Sequence, residues 1–284
     1  MQAQKNQFIG CDKPYREADT VLFGAPYDST TSFRPGTRFG PSAMRMESFG
    51  IETYSPTQDR DLVDDAKVFD SGDLELPFGA PEPALKMIEE RASRILEDGK
   101  RPFLLGGEHL VTLGAFRAVL KKYPDVAVIH FDAHADLRED YLGNPLSHAC
   151  VIRRIHDLVG DNRIFQFGIR SGTREEFAFM KAGHVTTEPS PSHPLTLSPS
   201  QPVYLTIDMD VLDPSEFPGT GTQEAGGFSY LQLLADMRLV CEKLNVVAMD
   251  NVELNPGLDP TGRSTALACK FLRECLLALR TAGT

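Results

Sequence analysis

The 284-residue sequence predicts an α/β protein built on a mostly parallel sheet with helices on both faces. Three observations predict it. Short apolar runs such as Val126–Ile129 and Val203–Ile207 lack polar alternation, as strands buried on both faces do. Segments with helical periodicity separate these runs along most of the chain. Residues able to do chemistry gather just past the runs, where open parallel sheets bind ligands.

Taken in order, Thr20–Pro26 reads as the first buried strand. The Gly/Pro-rich loop Tyr27–Pro41 follows, with Gly36 and Gly40 beside Pro35 and Pro41 marking fixed turns. Val68–Gly72 is a short second strand. Apolar Leu85, Ile88, Ala92, Ile95 and Leu96 recur at helical steps in Pro81–Gly99, and Gly99 is a stop. Arg101–Gly107 is a strand and Glu108–Tyr123 a helix, so His109 sits at their junction. The central run Val126–Ile129 leads into Asp132, His134 and Asp136, whose i, i+2, i+4 spacing puts three side chains on one side if the chain stays extended. A helix over about 147–159 has Ser147 as N-cap, and a helix N-terminus disfavours imidazolium, so His148 is expected to be neutral near pH 7. Ile164–Gly168 is a strand, and Thr173–Ala182 a helix with a Thr173/Glu176 capping box. The Pro/Ser/Thr-rich stretch His184–Pro202 reads as a surface excursion, because strand–helix alternation resumes in the same style beyond it. Val203–Ile207 then delivers Asp208 and Asp210, and a second capping box (Ser229, Gln232) opens a helix to Lys243. Val246–Met249 begins the last strand, with Glu253 at its end, and Arg263–Ala282 is the final helix. Residues 1–284 are expected to form one domain.

Composition excludes some classes. A net charge of -11 with no basic stripe argues against a nucleic-acid partner and mildly favours cationic ligands. No apolar run reaches membrane-spanning length, and Met1–Gly10 has no apolar core of a secretory signal. Five cysteines form no C-x-x-C pair, which suits reduced thiols in a cytoplasm.

His109, Asp132, His134, Asp136, Asp208, Asp210 and Glu253 all fall at carboxyl ends of predicted strands. Two histidines and four aspartates exceed what one zinc takes, about four ligands. They suit two divalent ions sharing carboxylates, and oxygen-rich ligation without cysteine favours manganese or another hard ion. Two-metal sites supply hydroxide near neutral pH, so the expected reaction is metal-assisted hydrolysis.

The motifs G-G-E-H, F-D-A-H-A-D, S-H-A, T-I-D-M-D-V-L-D-P and V-E-L-N-P, with R-P-G-T-R-F-G-P upstream, resemble in this order the ureohydrolases, the family of arginase and agmatinase. The resemblance implies a three-layer α/β/α fold with an eight-stranded parallel sheet, two Mn2+ per chain and trimeric or hexameric assembly. It implies that His109, Asp132, Asp136 and Asp208 hold one manganese and Asp132, His134, Asp208 and Asp210 the other. It makes His148 a proton shuttle and Glu253 the partner of a cationic guanidino substrate. Metal-dependent deacetylases share the fold in outline but imply one zinc. A non-catalytic homologue is expected to lose ligands, and none is lost. The segment R-E-D-Y-L-G-N-P-L-S-H resembles bacterial agmatinases, so agmatine is the expected substrate. Arg138, if it points inward, favours 4-guanidinobutyrate instead, while Glu139 and Asp140 favour the diamine-like substrate.

Overall fold

In the computed structural model, residues 7–191 and 197–279 are described. Eight strands form one sheet: β1 (Thr20–Ala25), β4 (Val68–Asp73), β5 (Arg101–Gly106), β6 (Ala127–Phe131), β7 (Ile164–Phe167), β8 (Thr186–Glu188), β9 (Pro202–Asp208) and β10 (Asn245–Val252). A small antiparallel hairpin, β2 (Tyr54–Ser55) with β3 (Arg60–Asp61), stands apart from it. The sheet order is β4-β1-β5-β10-β9-β6-β7-β8, and every pairing in it is parallel. The expected fold class is therefore what the chain adopts.

The α-helices among the described residues are α1 (Gly40–Glu47), α2 (Leu62–Asp65), α3 (Pro81–Glu97), α4 (Val111–Lys122), α5 (Val151–Val159), α6 (Arg174–Lys181), α7 (Tyr230–Lys243) and α8 (Arg263–Ala278). The strands alternate their side chains between two apolar clusters. Leu22, Phe103, Ile129 and Leu205 join the one containing α7 and α8 residues. Val21, Leu104, Val128 and Tyr204 join the one containing α3, α4 and α5 residues. Each fully buried Leu, Ile or Phe contributes roughly 1.5–3 kcal/mol of transfer free energy, which makes this period-2 alternation the main force holding the three layers.

Local differences from the sequence reading have identifiable causes. The expected helix from Glu108 begins only at Val111, because Glu108 and His109 direct their polar groups into the site. The stretch after His184 contains the short edge strand β8, paired to β7 over Phe165–Phe167, which keeps it within the same sheet. Its residues 192–196 lie outside the described residues, as do the last residues of the expected final helix. Ser229 accepts from Gln232 N at 3.2 Å, but only the Thr173/Glu176 capping box is reciprocal.

The sheet order decides where the chemistry goes. The chain runs outward from β1, jumps to β6 and continues to the edge, then returns through β9 and β10 into the gap beside β5. As a result β5, β10, β9 and β6 are neighbours in the middle of the sheet. Their carboxyl ends form the crevice where parallel α/β sheets bind ligands.

Candidate active site

All six candidate ligands meet beyond these four strands. Asp132 follows β6 directly, but the chain does not stay extended. Its strand ends at Phe131, and Asp136 takes φ 53°. The expectation that strand alternation alone aligns Asp132, His134 and Asp136 is thus corrected; a turn brings them together. Glu253, one residue past β10, has φ 67°. Non-glycine residues in the left-handed region cost of order 1–3 kcal/mol, and here the strain falls on two residues of the site. Gly107 permits the closest backbone approach: a Cβ there would lie 2.1 Å from the Tyr27 carbonyl oxygen.

His109 Nδ1 lies 3.0 Å from Asp132 Oδ2, 3.3 Å from Asp136 Oδ2 and 3.3 Å from Asp208 Oδ2. His134 Nδ1 lies 2.9 Å from Asp210 Oδ2 and 3.5 Å from Asp132 Oδ1. Asp132 therefore presents one oxygen to each histidine and joins two half-sites. Asp208 Oδ1 accepts from Asp210 N at 2.8 Å, and Asp210 Oδ1 from Ala133 N at 3.0 Å. These backbone bonds aim the other oxygens inward.

The donor set fits metal ions. The Thr206 hydroxyl donates to Asp250 Oδ1 at 2.6 Å, so the His109 Nε2–H donates to Thr206 Oγ1 at 2.9 Å. In the neutral ring, the form that binds a metal, that leaves a lone pair on Nδ1 facing three carboxylates. His109 Nδ1 and Asp210 Oδ2 are both buried without a hydrogen-bond partner. Burial opposes a charge on His109, yet the carboxylates of Asp132, Asp136 and Asp208 outweigh it and raise its pKa. Burial, with the Asp210 and Asp132 charges, raises Asp208; burial also lifts Asp210 to about 6, against the pull of His134. The carboxylates raise His134 too, yet four carboxyl groups outnumber two imidazoles, and cations balance them without the directional demand of a hydrogen bond. Two nitrogens and four carboxylates with no sulfur suit hard divalent ions.

His148 opens a 3-10 turn (His148–Cys150) ahead of α5. Ser147 does not cap it; its hydroxyl is 3.4 Å from the Thr30 carbonyl oxygen instead. The expectation of a neutral imidazole imposed by a helix N-terminus is corrected. Burial opposes the charge, but Glu253, whose Oε1 lies 3.1 Å from Nδ1, prevails and pushes the pKa up to about 9. The Ser32 N–H points at Nε2 at 2.9 Å, which places the neutral ring's proton on Nδ1. Ser32 Oγ, also 2.9 Å from Nε2, can accept a second proton's bond. Glu253 Oε1 accepts from His109 N at 2.8 Å as well, leaving its Oε2 edge for another donor. Glu253 is only 2% exposed and lies behind His148.

Several functional contacts were not singled out from sequence. His130, inside β6, accepts from Gln166 Nε2 at 3.0 Å and faces Asp132 Oδ2 at 2.8 Å, so its Nε2–H orients that carboxylate. A histidine within an apolar buried strand was the available signal, because it must find partners there. Glu108 accepts from Thr30 N at 2.9 Å and Thr30 Oγ1 at 2.5 Å, while Thr30 Oγ1 accepts from His148 N at 3.1 Å. Burial lifts Glu108 to about 7, against His148 and Thr30. The Gly/Pro-rich loop is fixed by Asn255 Nδ2, which donates to the carbonyls of Arg34 and Pro35 at 3.1 and 3.2 Å.

A cavity of about 230 Å³ opens over the cluster; His134, Asp136, Asp208, Asp210, His148 and Ser32 line it together with Arg138, Tyr141 and Glu176. Of the three charged neighbours in the following loop, only Arg138 lines it. The Glu139 side chain is 80% exposed, and Asp140 is exposed and accepts from Gly143 N. Arg138 Nε is 3.6 Å from Glu176 Oε2, and its guanidinium lies over Tyr141 at 5.4 Å. Glu176 is the capping-box residue of α6, and its Oε1 also accepts from Leu137 N at 2.9 Å.

A sequence profile of the Arginase family matches residues 18–278, and the chain belongs to that family. Among its relatives, the agmatinase of Bacillus subtilis is 48% identical over 277 residues, 95% of each chain. The guanidinobutyrase of Pseudomonas aeruginosa is 35% identical, covering 92% of this chain and 86% of that one. The crystal structure of a proposed agmatinase from Clostridium difficile superimposes with a TM-score of 0.89 at 50% identity, over 93% of this chain and 98% of that one.

Proposed function

We propose that this protein hydrolyses agmatine to putrescine and urea with two manganese ions held by the six-residue cluster. The observation that carries the metal reading is the unpartnered His109 Nδ1 among three carboxylates, matched by Asp210 Oδ2 in the other half-site. His109, Asp132, Asp136 and Asp208 would hold one ion, and Asp132, His134, Asp208 and Asp210 the other. When bound, such a pair lowers the pKa of water and stabilises developing charge.

The chain's own groups do the rest. A guanidinium carbon is a poor electrophile, so it must be held still against its nucleophile. Glu253, with Oε1 bound to His109 N and His148 Nδ1, would accept from the guanidinium through Oε2, which requires His148 to shift because it lies in front of Glu253. The amine leaves protonated, and His148 delivers that proton from Nε2, the nitrogen that meets Ser32. A pKa about 9 keeps His148 charged at neutral pH in the absence of cations, and positive charge offsetting Asp136 brings it closer to the working pH.

The choice of agmatine rests on relatives named agmatinase at 47–48% identity over 95% of this chain. Physically, the Arg138 charge is compensated by Glu176 and its face covered by Tyr141, which lessens its repulsion of a distal ammonium. Arg138 on the cavity wall favours 4-guanidinobutyrate as the second reading. Comparing kcat/KM for agmatine, 4-guanidinobutyrate and arginine tests the assignment. Agmatine should lead; a lead for 4-guanidinobutyrate that Arg138→Ala removes would replace it.

We further infer one catalytic domain over residues 1–284, a cytoplasmic location and a homotrimeric or homohexameric assembly. All five cysteines are buried and free, which supports a reducing compartment. Phe33, Phe39, Met46 and Phe49 are all exposed, which supports packing against further copies.

A further inference from the structure

A second His/Asp cluster lies away from the cavity. His156 is in the last turn of α5, Asp161 follows that helix, and His184 follows α6. His156 Nε2 and His184 Nδ1 both face Asp161 Oδ1, at 2.8 and 2.9 Å. The three ligand atoms lie within 4.8 Å of one another. We propose that His156, Asp161 and His184 form a separate metal site for a borderline divalent cation of the zinc, nickel or copper class.

The rings are set in place by protein packing. Phe179 stacks on His184 with centroids 4.2 Å apart and planes at 27°, and meets His156 edge-on at 4.9 Å and 83°. Two nitrogens thus converge on one carboxylate oxygen before any ion arrives, which reduces the ordering needed on binding. The carbonyl ends of α5 and α6 both run into this corner, since Asp161 comes two residues past the end of α5 and His184 three past the end of α6. Helix C-termini carry partial negative charge and favour a cation. A cation beside the cluster is Arg153, whose guanidinium lies over Phe179 at 4.8 Å. It is engaged by Asp157 at 3.3 Å and Glu139 at 3.5 Å.

The donor chemistry separates this site from the catalytic one. Two imidazoles with one carboxylate select zinc, nickel or copper over manganese. Three protein ligands leave a fourth position for water, and the half-exposed Asp161 and His184 give access to it. An ion there ties the end of α5 to the end of α6. Those helices carry, at or near their other ends, His148 and Glu176, so the ion braces the outer wall of the cavity.

The test is zinc counted per chain by mass spectrometry after dialysis against buffered free zinc. The wild type should hold one more zinc than the His156→Gln/His184→Gln variant. Asp132→Asn, which disables the catalytic cluster, should keep that extra ion, so failure of the manganese reading stays distinguishable. Equal zinc in wild type and double variant overturns the proposal. Loss of the extra ion in Asp132→Asn but not in the double variant does the same. In a His109→Ala/His134→Ala background, which removes the nitrogens of the central cluster, bound copper(II) should show hyperfine coupling to two nitrogens that His184→Gln reduces to one, and an unchanged spectrum contradicts the site even if the double variant fails to fold.

Discussion

The two His/Asp clusters of this chain use the same residue types for opposite situations. At the centre of the sheet, His109, Asp132, Asp208 and Asp210 are buried, and two of their inward atoms have no hydrogen-bond partner. At the edge, His156, Asp161 and His184 satisfy one another, and solvent reaches Asp161 on 50% of its side chain. Unpartnered buried donors and acceptors are costly, so the central cluster needs cations to be stable as arranged. The exposed cluster can form its own ion pairs, and a metal there is optional. Burial and satisfaction, more than residue identity, separate a required ion from an incidental one.

The largest effects should come from the bridging positions of the central cluster. Asp132→Asn or Asp208→Asn should abolish urea release and lower metal content together, measured on the same preparation. Next is His148→Ala, expected to reduce turnover by roughly 10²–10⁴-fold, the usual range for a general acid, with metal content unchanged. Loss of metal along with activity would instead make His148 a ligand. A smaller effect should follow from groups that only orient ligands. Asp250 accepts from Thr206 Oγ1 at 2.6 Å, Tyr204 Oη at 2.7 Å and Thr112 Oγ1 at 2.9 Å, and Thr206 in turn holds His109. Thr206→Val should weaken metal binding by roughly 10–100-fold, the range for outer partners of metal ligands, and an unchanged affinity would remove this relay from the account.

Much of this was legible because each half of the pattern is local. Apolar runs without alternation identified the strands, and chemistry-bearing residues at their ends pointed to the candidate site, where the fold brings them together. His148 was expected at the site as a neutral ring, and its electrostatics differ because Glu253, 105 positions away, overcomes burial and raises its pKa. The same limit hid Ser32 and Thr30, whose loop meets His148 only after folding. Arg138, Glu139 and Asp140 could not be sorted from sequence, since a non-repetitive loop has no periodicity to assign faces. The surface cluster draws on residues 156, 161 and 184 from three segments, so no motif spacing revealed it.

The smallest effect concerns pH. With its folded pKa about 9, above the roughly 6.5 of an unperturbed imidazole, His148 contributes stability that is full below the lower value. That contribution is lost as pH rises through the upper one. Thermal unfolding of chelated protein should therefore show a stability decrease between these pH values, and Glu253→Gln should flatten it. A profile identical in the variant would mean that Glu253 does not set the His148 charge.

The most direct measurement of the central claim is reconstitution after chelation, following urea release from agmatine and manganese per chain together. Activity should vanish on chelation and return as manganese binds, reaching its plateau near two ions per chain, with urea and putrescine formed in equal amounts. Full activity in the chelated protein, or a plateau at one tightly bound zinc, would contradict it.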